Sequence, residues 1–533
     1  MSNYPSEWIA ASLMEKCSFE QHNVYDLVPR GQAATAKKRV FGTRPVFKIK
    51  VKPPTDSNPN PEIDRFKFRQ TIKAFTKMMT PGIDFAEKRA STVRWEASLC
   101  LLATAVLMDY DIALFDVKTF FLYGDLPDLV FMEQPPEWED PAHPAKDWIC
   151  KLNRSMYGLP QAPHCAQTKL KATLTAQGEF RQTTADDCVY VSGKPGDDNY
   201  VATGTHVDDL LSVGTTKGLA KLSTTLKKQF EIVEENPTAM VTGVQIVRDR
   251  KAKTLRLHQS AYIATILKAF GQEDCTPTDT PMDPGTVKAF MALPVDAPDD
   301  SKPTSVALKT YRKLVGMLIW LYKTRPDMLF TVNLLSRYLH NATQAHLDLA
   351  RGRPLRYLRG SMEVGLMFEA GARSQWRLSG EADADFAGDL ESSRSLMGHV
   401  CKVGKYGAVS FNCTLERKVS TSTQQAETYA LASLCKSTVW LRQLFHELGF
   451  PQDGPTPQGT DNRGAFLQST KQVNHASAKH FRVEQAFIRQ LTGIGTIRVD
   501  KVSTDLMSAD IFTKALTKIP FLKHRDTIMG PQR

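Results

Sequence analysis

An adjacent pair of aspartates interrupts an otherwise apolar segment, GTHVDDLLSVG, which covers Gly204–Gly214. The residues on either side are typical of two short strands, so the segment is predicted to form a β-hairpin. Successive side chains of a strand point to opposite faces of the sheet, so Asp208 and Asp209 can serve one site only if they lie at the turn. Buried like charges repel each other. The pair therefore indicates either a solvated turn or a site for a cation.

A third aspartate, Asp116, follows an apolar run that begins with DIALF at Asp111 and is predicted to be a strand. If this strand neighbours the hairpin, three carboxylates meet at one point. Each pair about 4 Å apart would repel by about 4 kcal/mol at an effective dielectric constant near 20. Divalent cations remove that repulsion, and oxygen ligands favour Mg²⁺. Two ions about 4 Å apart would hold the attacking and leaving oxygens of a phosphoryl transfer. The spacing alone leaves the solvated turn open.

Charge and composition limit the classes of function. The 533 residues include 68 Lys and Arg against 57 Asp and Glu, a net charge of +11, which fits a phosphate-backbone partner but also many other soluble proteins. The cysteines form no C-x-x-C pair, so neither a zinc site nor a disulfide framework is expected. The longest nearly apolar run, Ala97–Met108, is shorter than the ~20 residues that span a bilayer. No signal peptide is recognised, and we expect an intracellular chain without a membrane partner.

Short β-rich runs alternate with helical patterns along the chain, which favours α+β or α/β domains over a sandwich or a bundle. The length is typical of three or four domains. The Pro-rich segment Cys275–Ser305 is the best candidate for a linker. A long helix is predicted from Thr423 to Gly449.

Six segments of the chain form an ordered set: Ser6–Pro29, Arg65–Glu87, Phe115–Leu126, Lys151–Pro163, His206–Leu211 and Tyr311–Phe330. One of them, HVDDLL, would be a weak signal alone, whereas the ordered set is specific. The set resembles the reverse transcriptase of copia-type retrotransposon polyproteins. The resemblance implies a right-hand polymerase with fingers, palm and thumb.

The resemblance also implies roles for single residues. Asp116, Asp208 and Asp209 match the metal-binding aspartates of the polymerase. A primer 3′-OH would attack the α-phosphate of a deoxynucleotide there, with Asp116 and Asp208 holding the metals and Asp209 completing the site.

Three further residues match positions around the incoming nucleotide. Arg69 matches an arginine that binds the triphosphate, and a guanidinium suits this because it binds phosphate oxygens bidentately. Phe121 falls where an aromatic ring blocks a ribose 2′-OH, and Gln161 where a residue contacts the nucleotide. Without the resemblance, Arg69 is equally well interpreted as a solvated arginine, Phe121 is better interpreted as a core phenylalanine, and Gln161 can be a polar loop residue.

A second set of acidic residues follows. A predicted strand at Trp376–Leu378 leads to Asp383 and Asp385. Individually such residues are typical surface acids. Taken in order along the chain, four acids resemble the carboxylates of the copia-type ribonuclease H domain: Asp383, Glu427, Asp461 and Asp510. The resemblance implies a mixed sheet flanked by helices and two Mg²⁺ ions that activate water to cut the RNA of an RNA–DNA hybrid. His480 would lie near the hybrid or serve as a structural histidine.

We therefore predict an α+β multidomain chain: a right-hand polymerase followed by an α/β ribonuclease H-like domain. The predicted divisions are fingers and palm over 1–251, a thumb or connection region over 252–375 with a linker near 275–305, the ribonuclease H-like domain over 376–516, and a C-terminal tail over 517–533.

The expected activity is RNA- and DNA-directed DNA synthesis together with hybrid cleavage. It would use two Mg²⁺ ions per active site, with Mn²⁺ as an alternative. The expected partners are an RNA template, a DNA primer and product, the RNA–DNA hybrid and deoxynucleoside triphosphates. The expected location is the cytoplasm, within a virus-like particle, and secondarily the nucleus. The chain is expected to be a fragment or a truncated copy of such a polyprotein.

The alternative is a decayed copy that folds and binds nucleic acid without catalysis. His206, where the family usually has tyrosine, favours that alternative. The retention of every matching acid favours activity.

Overall fold

The computed structural model of the chain describes residues 4–51, 62–74, 79, 80, 85, 88–235, 243–295, 305–389, 391–470 and 481–532. His480 and parts of the Arg65–Glu87 and Cys275–Ser305 segments lie outside the described residues. Among the described residues, no helix combines the length and the apolar character needed to cross a membrane.

The α-helices are α1 Pro5–Gln21, α2 Gly31–Thr35, α3 Trp95–Leu107, α4 Ala162–Thr175, α5 Thr216–Lys227, α6 Ser260–Ala269, α7 Pro284–Met291, α8 Val306–Ile319, α9 Leu329–Ser336, α10 Gln344–Arg351, α11 Arg353–Gly360, α12 Thr423–Glu447, α13 Arg463–Thr470, α14 Arg482–Gly493 and α15 Lys518–Met529. The strands are β1 Tyr25–Pro29, β2 Val40–Phe41, β3 Thr43–Val51, β4 Ile63–Ile72, β5 Asp111–Val117, β6 Phe131–Met132, β7 Trp148–Leu152, β8 Arg181–Gln182, β9 Val189–Ser192, β10 Val201–His206, β11 Asp209–Gly214, β12 Ile232–Glu235, β13 Gln245–Asp249, β14 Thr254–His258, β15 Leu366–Glu369, β16 Leu378–Asp385, β17 Leu396–Val403, β18 Ala408–Leu415, β19 Thr456–Thr460 and β20 Ile497–Lys501.

A six-stranded sheet in the order β12-β5-β11-β10-β9-β8 carries the hairpin aspartates. Strand β5 is apolar on both faces because each face is covered. Ala113 and Phe115 belong to the core that includes α4 and α5, whereas Ile112 and Leu114 belong to the core that includes α3. This period of two is what a strand buried on both sides requires. Asp116 continues the series of Ile112 and Leu114 and therefore projects on the α3 side of the sheet.

Beside this sheet, the β3–β4 ribbon packs against α1. Trp8 of α1 meets Phe47 and Phe66 of the ribbon edge-on, with ring centres 5.1 and 4.8 Å apart. A separate four-stranded sheet has the order β1-β7-β6-β2. Helix α1 and strand β4 of the ribbon line the cavity opposite Asp116, and β4 carries Arg69.

The region between the two acidic sets is held by the sheet β13-β14-β15 and by helices α6 to α11. The Pro-rich segment contains a helix, α7, which Asp283 caps by accepting a hydrogen bond of 2.7 Å from the backbone N–H of Thr286. Segment 517–533, expected to be a tail, contains α15, where Phe521 is buried against the ring of Tyr357.

The last sheet has the order β18-β17-β16-β19-β20, in which β16 to β18 are antiparallel and β19 and β20 run parallel to β16. The expected strand at Trp376–Leu378 is wrong in its bounds. The strand is Leu378–Asp385, so Asp383 lies within it, because this stretch pairs with β17 along its whole length. A Cβ atom at Gly380 would lie 2.6 Å from Leu434 Cδ1, so glycine is what lets α12 lie close on the sheet.

The C-terminal sheet and the hairpin sheet are joined by the end of α12. The carboxylate of Glu447 accepts hydrogen bonds of 3.0 Å from the backbone N–H groups of Thr184 and Ala185. Trp440 Nε1 donates to the carbonyl of Ala185 at 2.7 Å, and the Tyr200 hydroxyl donates to the carbonyl of Leu448 at 3.0 Å. The molecule is therefore a mixed α/β protein of several sheets, which confirms the expected mixture of elements.

Candidate active sites

Strands β10 and β11 form the predicted hairpin, and its turn consists of Val207 and Asp208. His206 and Asp209 are the pair that closes the turn. Val207 has a φ of 59°, which is a strained conformation for a β-branched residue. Asp208 thus lies in the turn and Asp209 is the first residue of β11, as the hairpin prediction requires.

Asp116 joins the hairpin aspartates through strand pairing. Asp209 is directly opposite Asp116 in the β5–β11 register, and the backbone N–H of Val117 donates to the carbonyl of Asp208 at 2.9 Å. Directly opposite residues of an antiparallel pair project on the same face. Burial first, and the charge of Asp208 second, raise the pKa of Asp116. Burial, followed by the charges of Asp208 and Asp116, raises the pKa of Asp209 to about 6.

Asp116 and Asp208 line a cavity of about 450 Å³ whose other side is basic. Oxygen ligands at one side and cationic side chains at the other suit a metal-bound polyphosphate. The basic residues on that side are Arg65, Lys67 and Arg69 of β4. Only Arg69 was expected from the sequence, because the other two are marked only by an alternation of basic and apolar residues.

Arg69 has the features of an anion ligand. Its Cζ lies 4.7 Å from the centre of the Tyr157 ring, which fixes the guanidinium at the cavity wall. Its Nε is buried and makes no hydrogen bond to any described residue. Buried donors are almost always paired, so this atom fits a bound anionic oxygen.

Glu15 also lines the cavity and was not found from the sequence. It projects from α1, its Oε1 is buried without a hydrogen-bond partner among the described residues, and burial raises its pKa to about 7. No motif marks it, because its position depends on how α1 packs on β4.

The structure does not bring Phe121 and Gln161 to the cavity wall. The described residues that line the cavity include Tyr157 but neither of these two. Phe121 lies behind Tyr157, with ring centres 5.4 Å apart in an edge-on contact. Gln161 is buried, and its Nε2 lies 3.3 Å from an Asp128 carboxylate oxygen.

The second site gathers residues from three elements. Asp383 lies in β16, Glu427 lies one turn into α12, and Asp461 lies between β19 and α13. One carboxylate oxygen from each lies within 4.8 Å of the others. Asp116, Asp208 and Asp209 do not form such a group among the described residues, so the second set is the tighter one.

The electrostatics of this group fit a divalent cation. Glu427 Oε2 is buried and has no hydrogen-bond partner among the described residues. Burial raises the pKa of Glu427 to about 9, with further contributions from Asp383 and Asp461. A cation that accepts only oxygen ligands would satisfy the unpaired oxygen and cancel the repulsion.

Asp510 reaches Asp383 through a lysine that the sequence analysis did not single out. Lys514 Nζ lies 2.9 Å from Asp510 Oδ1 and 3.2 Å from Asp383 Oδ1. The Thr513 hydroxyl also donates to Asp383. Burial and the charge of Asp383 raise the pKa of Asp510 to about 6. The only sequence signal for Lys514 was its i,i+4 spacing from Asp510.

A third group of ligand-type side chains, Asp186, Asp187 and Cys188, has a simpler explanation. The Asp186 carboxylate accepts hydrogen bonds from the backbone N–H groups of Arg94 at 3.0 Å and Cys188 at 2.9 Å. It therefore holds the loop before β9 in place.

Residues 22–284 match a protein family described as reverse transcriptase (RNA-dependent DNA polymerase). The chain is 32% identical over 508 residues to the Retrovirus-related Pol polyprotein from transposon TNT 1-94 of Nicotiana tabacum, covering 95% of this chain and 36% of the relative. It is 30% identical over 501 residues to the corresponding polyprotein from transposon RE2 of Arabidopsis thaliana, covering 94% and 32%. The chain thus spans about a third of the length of these relatives.

Among solved structures, the chain is similar to a foamy viral protease–reverse transcriptase in complex with double-stranded DNA. The TM-score is 0.45 and the identity 9%, over 91% of this chain and 68% of that one.

Proposed function

Because residues 22–284 match the reverse transcriptase family and the chain is similar to retrotransposon Pol polyproteins, we propose that it is an RNA- and DNA-directed DNA polymerase. The observation that supports this most is the register that sets Asp209 opposite Asp116 with Asp208 in the adjoining turn. The deoxynucleoside triphosphate would bind in the cavity that Asp116 and Asp208 share with Arg69.

Some residues of this site would bind the substrate or the metal ions, and others would position those residues. Arg69 binds phosphate oxygens, and Tyr157 holds the guanidinium in place through ring contact. Asp116 and Asp208 would hold divalent ions, which supply a Lewis acid for the attack of a primer 3′-OH on the α-phosphate. Asp209 adds negative charge beside them. We propose Mg²⁺ as the ion because the ligand set consists of carboxylate oxygens.

We propose RNA–DNA hybrid cleavage as a second activity, at the group formed by Asp383, Glu427 and Asp461. The unpaired buried oxygen of Glu427 supports a metal site there. In this proposal the sheet with α12 is a ribonuclease H-like domain over about 376–516. The six-stranded sheet is the palm, the β3–β4 ribbon belongs to the fingers, and 252–375 forms the thumb or connection. The nucleic-acid partners and the location within the cell remain predictions.

Reciprocal substitutions test the assignment of the two sites. Asp208→Asn removes a metal ligand from the first site and should abolish primer extension while hybrid cleavage continues. Glu427→Gln should abolish cleavage while extension continues. Loss of both activities from either substitution, in protein that still folds, would contradict two separate sites. Absence of both activities in the unsubstituted chain would instead indicate a decayed copy.

A further inference from the structure

The second acidic site contains a cation of its own, the side chain of Lys514. Its Nζ lies between Asp510 Oδ1 at 2.9 Å and Asp383 Oδ1 at 3.2 Å. The side chain of Asp383 is 1% exposed and that of Asp510 is 9% exposed. The ammonium is therefore the group that neutralises this side of the site.

Asp383 divides the site into two halves with different degrees of charge compensation. On one side, Lys514 and Thr513 both donate hydrogen bonds to its carboxylate. On the other side lie Glu427 and Asp461, and Glu427 Oε2 has no hydrogen-bond partner among the described residues. The negative charge on the Lys514 side is thus already compensated, whereas the side with Glu427 and Asp461 still requires a cation.

A divalent ion that bridged Asp383 Oδ1 and Asp510 Oδ1 would have to lie where Lys514 Nζ lies. Carboxylate–Mg²⁺ distances are about 2.0–2.1 Å, so the ion and the ammonium could not both bind the same two oxygens. Their mutual repulsion adds to the steric exclusion. The ammonium must leave this position before an ion can enter.

We propose that Lys514 occupies the second cation position of this site, so that the free chain binds one divalent ion there, held by Asp383, Glu427 and Asp461. The inference rests on the proposed function of these acids as metal ligands and changes the expected number of ions from two to one in the absence of nucleic acid. Lys514 is a positioning residue in this account, because it acts through Asp383 and Asp510.

The test is the number of Mn²⁺ ions bound, measured by electron paramagnetic resonance and isothermal titration. The full chain carries Asp116→Asn and Asp208→Asn, so that the polymerase ligands do not contribute. Lys514→Met removes the charge at similar length, and Lys514→Arg keeps the charge. Lys518→Met is the matched control, because Lys518 is exposed and pairs with Asp279 at 3.1 Å instead of the acidic site.

We expect one bound ion with Lys514, Lys514→Arg or Lys518→Met, and two ions with spin coupling between them in Lys514→Met. Two ions in the presence of Lys514, or a single ion in Lys514→Met, would overturn the role of Lys514. Addition of Glu427→Gln distinguishes this failure from a failure of the proposed function. If no Mn²⁺ binds to any variant, or if Glu427→Gln leaves binding unchanged, the metal site itself is contradicted.

Discussion

Asp209 lies directly opposite Asp116 on adjacent antiparallel strands, and the two-residue turn before Asp209 adds Asp208 to the same end of the sheet. Asp116 and Asp209, 93 positions apart in sequence (209 − 116), are thereby fixed by backbone pairing rather than by their own side chains. Burial, followed by the charge of Asp208, raises the pKa of both Asp116 and Asp209. This arrangement is destabilising unless a cation binds, which is why we interpret it as functional.

Glu427→Gln should stabilise the metal-free chain. The pKa of Glu427 is raised from 4.5 to about 9, so the folded state binds its proton more tightly than the unfolded state, and stability falls as pH rises above about 4.5. At pH 7 we expect the substitution to add roughly 1–3 kcal/mol to the free energy of unfolding. Below about pH 4, where the carboxyl is protonated in both states, the difference should vanish.

Denaturant unfolding at pH 4 and pH 7, with and without Mg²⁺, measures this effect. Added Mg²⁺ should stabilise the unsubstituted chain more than Glu427→Gln, which keeps only the ligands of the polymerase site. A variant that is less stable than the unsubstituted chain at pH 7 would show that Glu427 is a structural residue.

Arg69→Lys should weaken binding of the incoming nucleotide. The planar guanidinium stacks on Tyr157 and offers a buried, unpaired Nε, whereas an ammonium lacks both the plane and the fork of donors. We expect KM for the deoxynucleotide to rise roughly tenfold or more, which corresponds to about 1.4 kcal/mol. Arg44→Lys, on the neighbouring strand and exposed, is the control and should leave KM unchanged. Equal KM values for both variants would show that Arg69 does not bind the incoming nucleotide.

Phe121→Ala should weaken the discrimination against ribonucleotides. Phe121 supports Tyr157 from behind, at 5.4 Å between ring centres, so its truncation frees space and lets the cavity wall recede. We expect the ratio of kcat/KM for ribonucleotide over deoxynucleotide to rise at least about tenfold, or ~1.4 kcal/mol. An unchanged ratio with synthesis intact would make Phe121 a core residue only.

Phe120→Ala is the matched control for that experiment. Phe120 is 4% exposed and lies in the core beneath the sheet. Its truncation should reduce the free energy of unfolding by about 3–5 kcal/mol without changing the sugar ratio.

The sequence predicted features that depend on local periodicity. The turn at Asp208 follows from the two short strands that the sequence predicts on either side of it. Pro354 also obeys a local rule: α10 ends at Arg351 and α11 begins at Arg353, so the proline lies in the first turn of a new helix. The free-energy cost of a proline inside a helix therefore does not arise.

Features that depend on packing between distant segments were not predictable. Glu15 and Lys514 carry no motif, and each acquires its place from contact with another element. The length of β16 was underestimated because its residues pair with β17, a partner that the local pattern does not reveal. The positions of Phe121 and Gln161 came from the resemblance, which fixes a place in the chain but not the direction of a side chain.

The most direct test of the account is extension of a DNA primer on an RNA template, with deoxynucleoside triphosphates and Mg²⁺. Asp116→Asn and Asp208→Asn are compared with Asp198→Asn, whose exposed carboxylate pairs with Lys217 at 2.7 Å outside the site. We predict extension by the unsubstituted chain and by Asp198→Asn, and a loss of at least about 100-fold, or ~2.7 kcal/mol, in the other two variants. Extension that persists in Asp116→Asn or Asp208→Asn would contradict the claim that these carboxylates form the polymerase site.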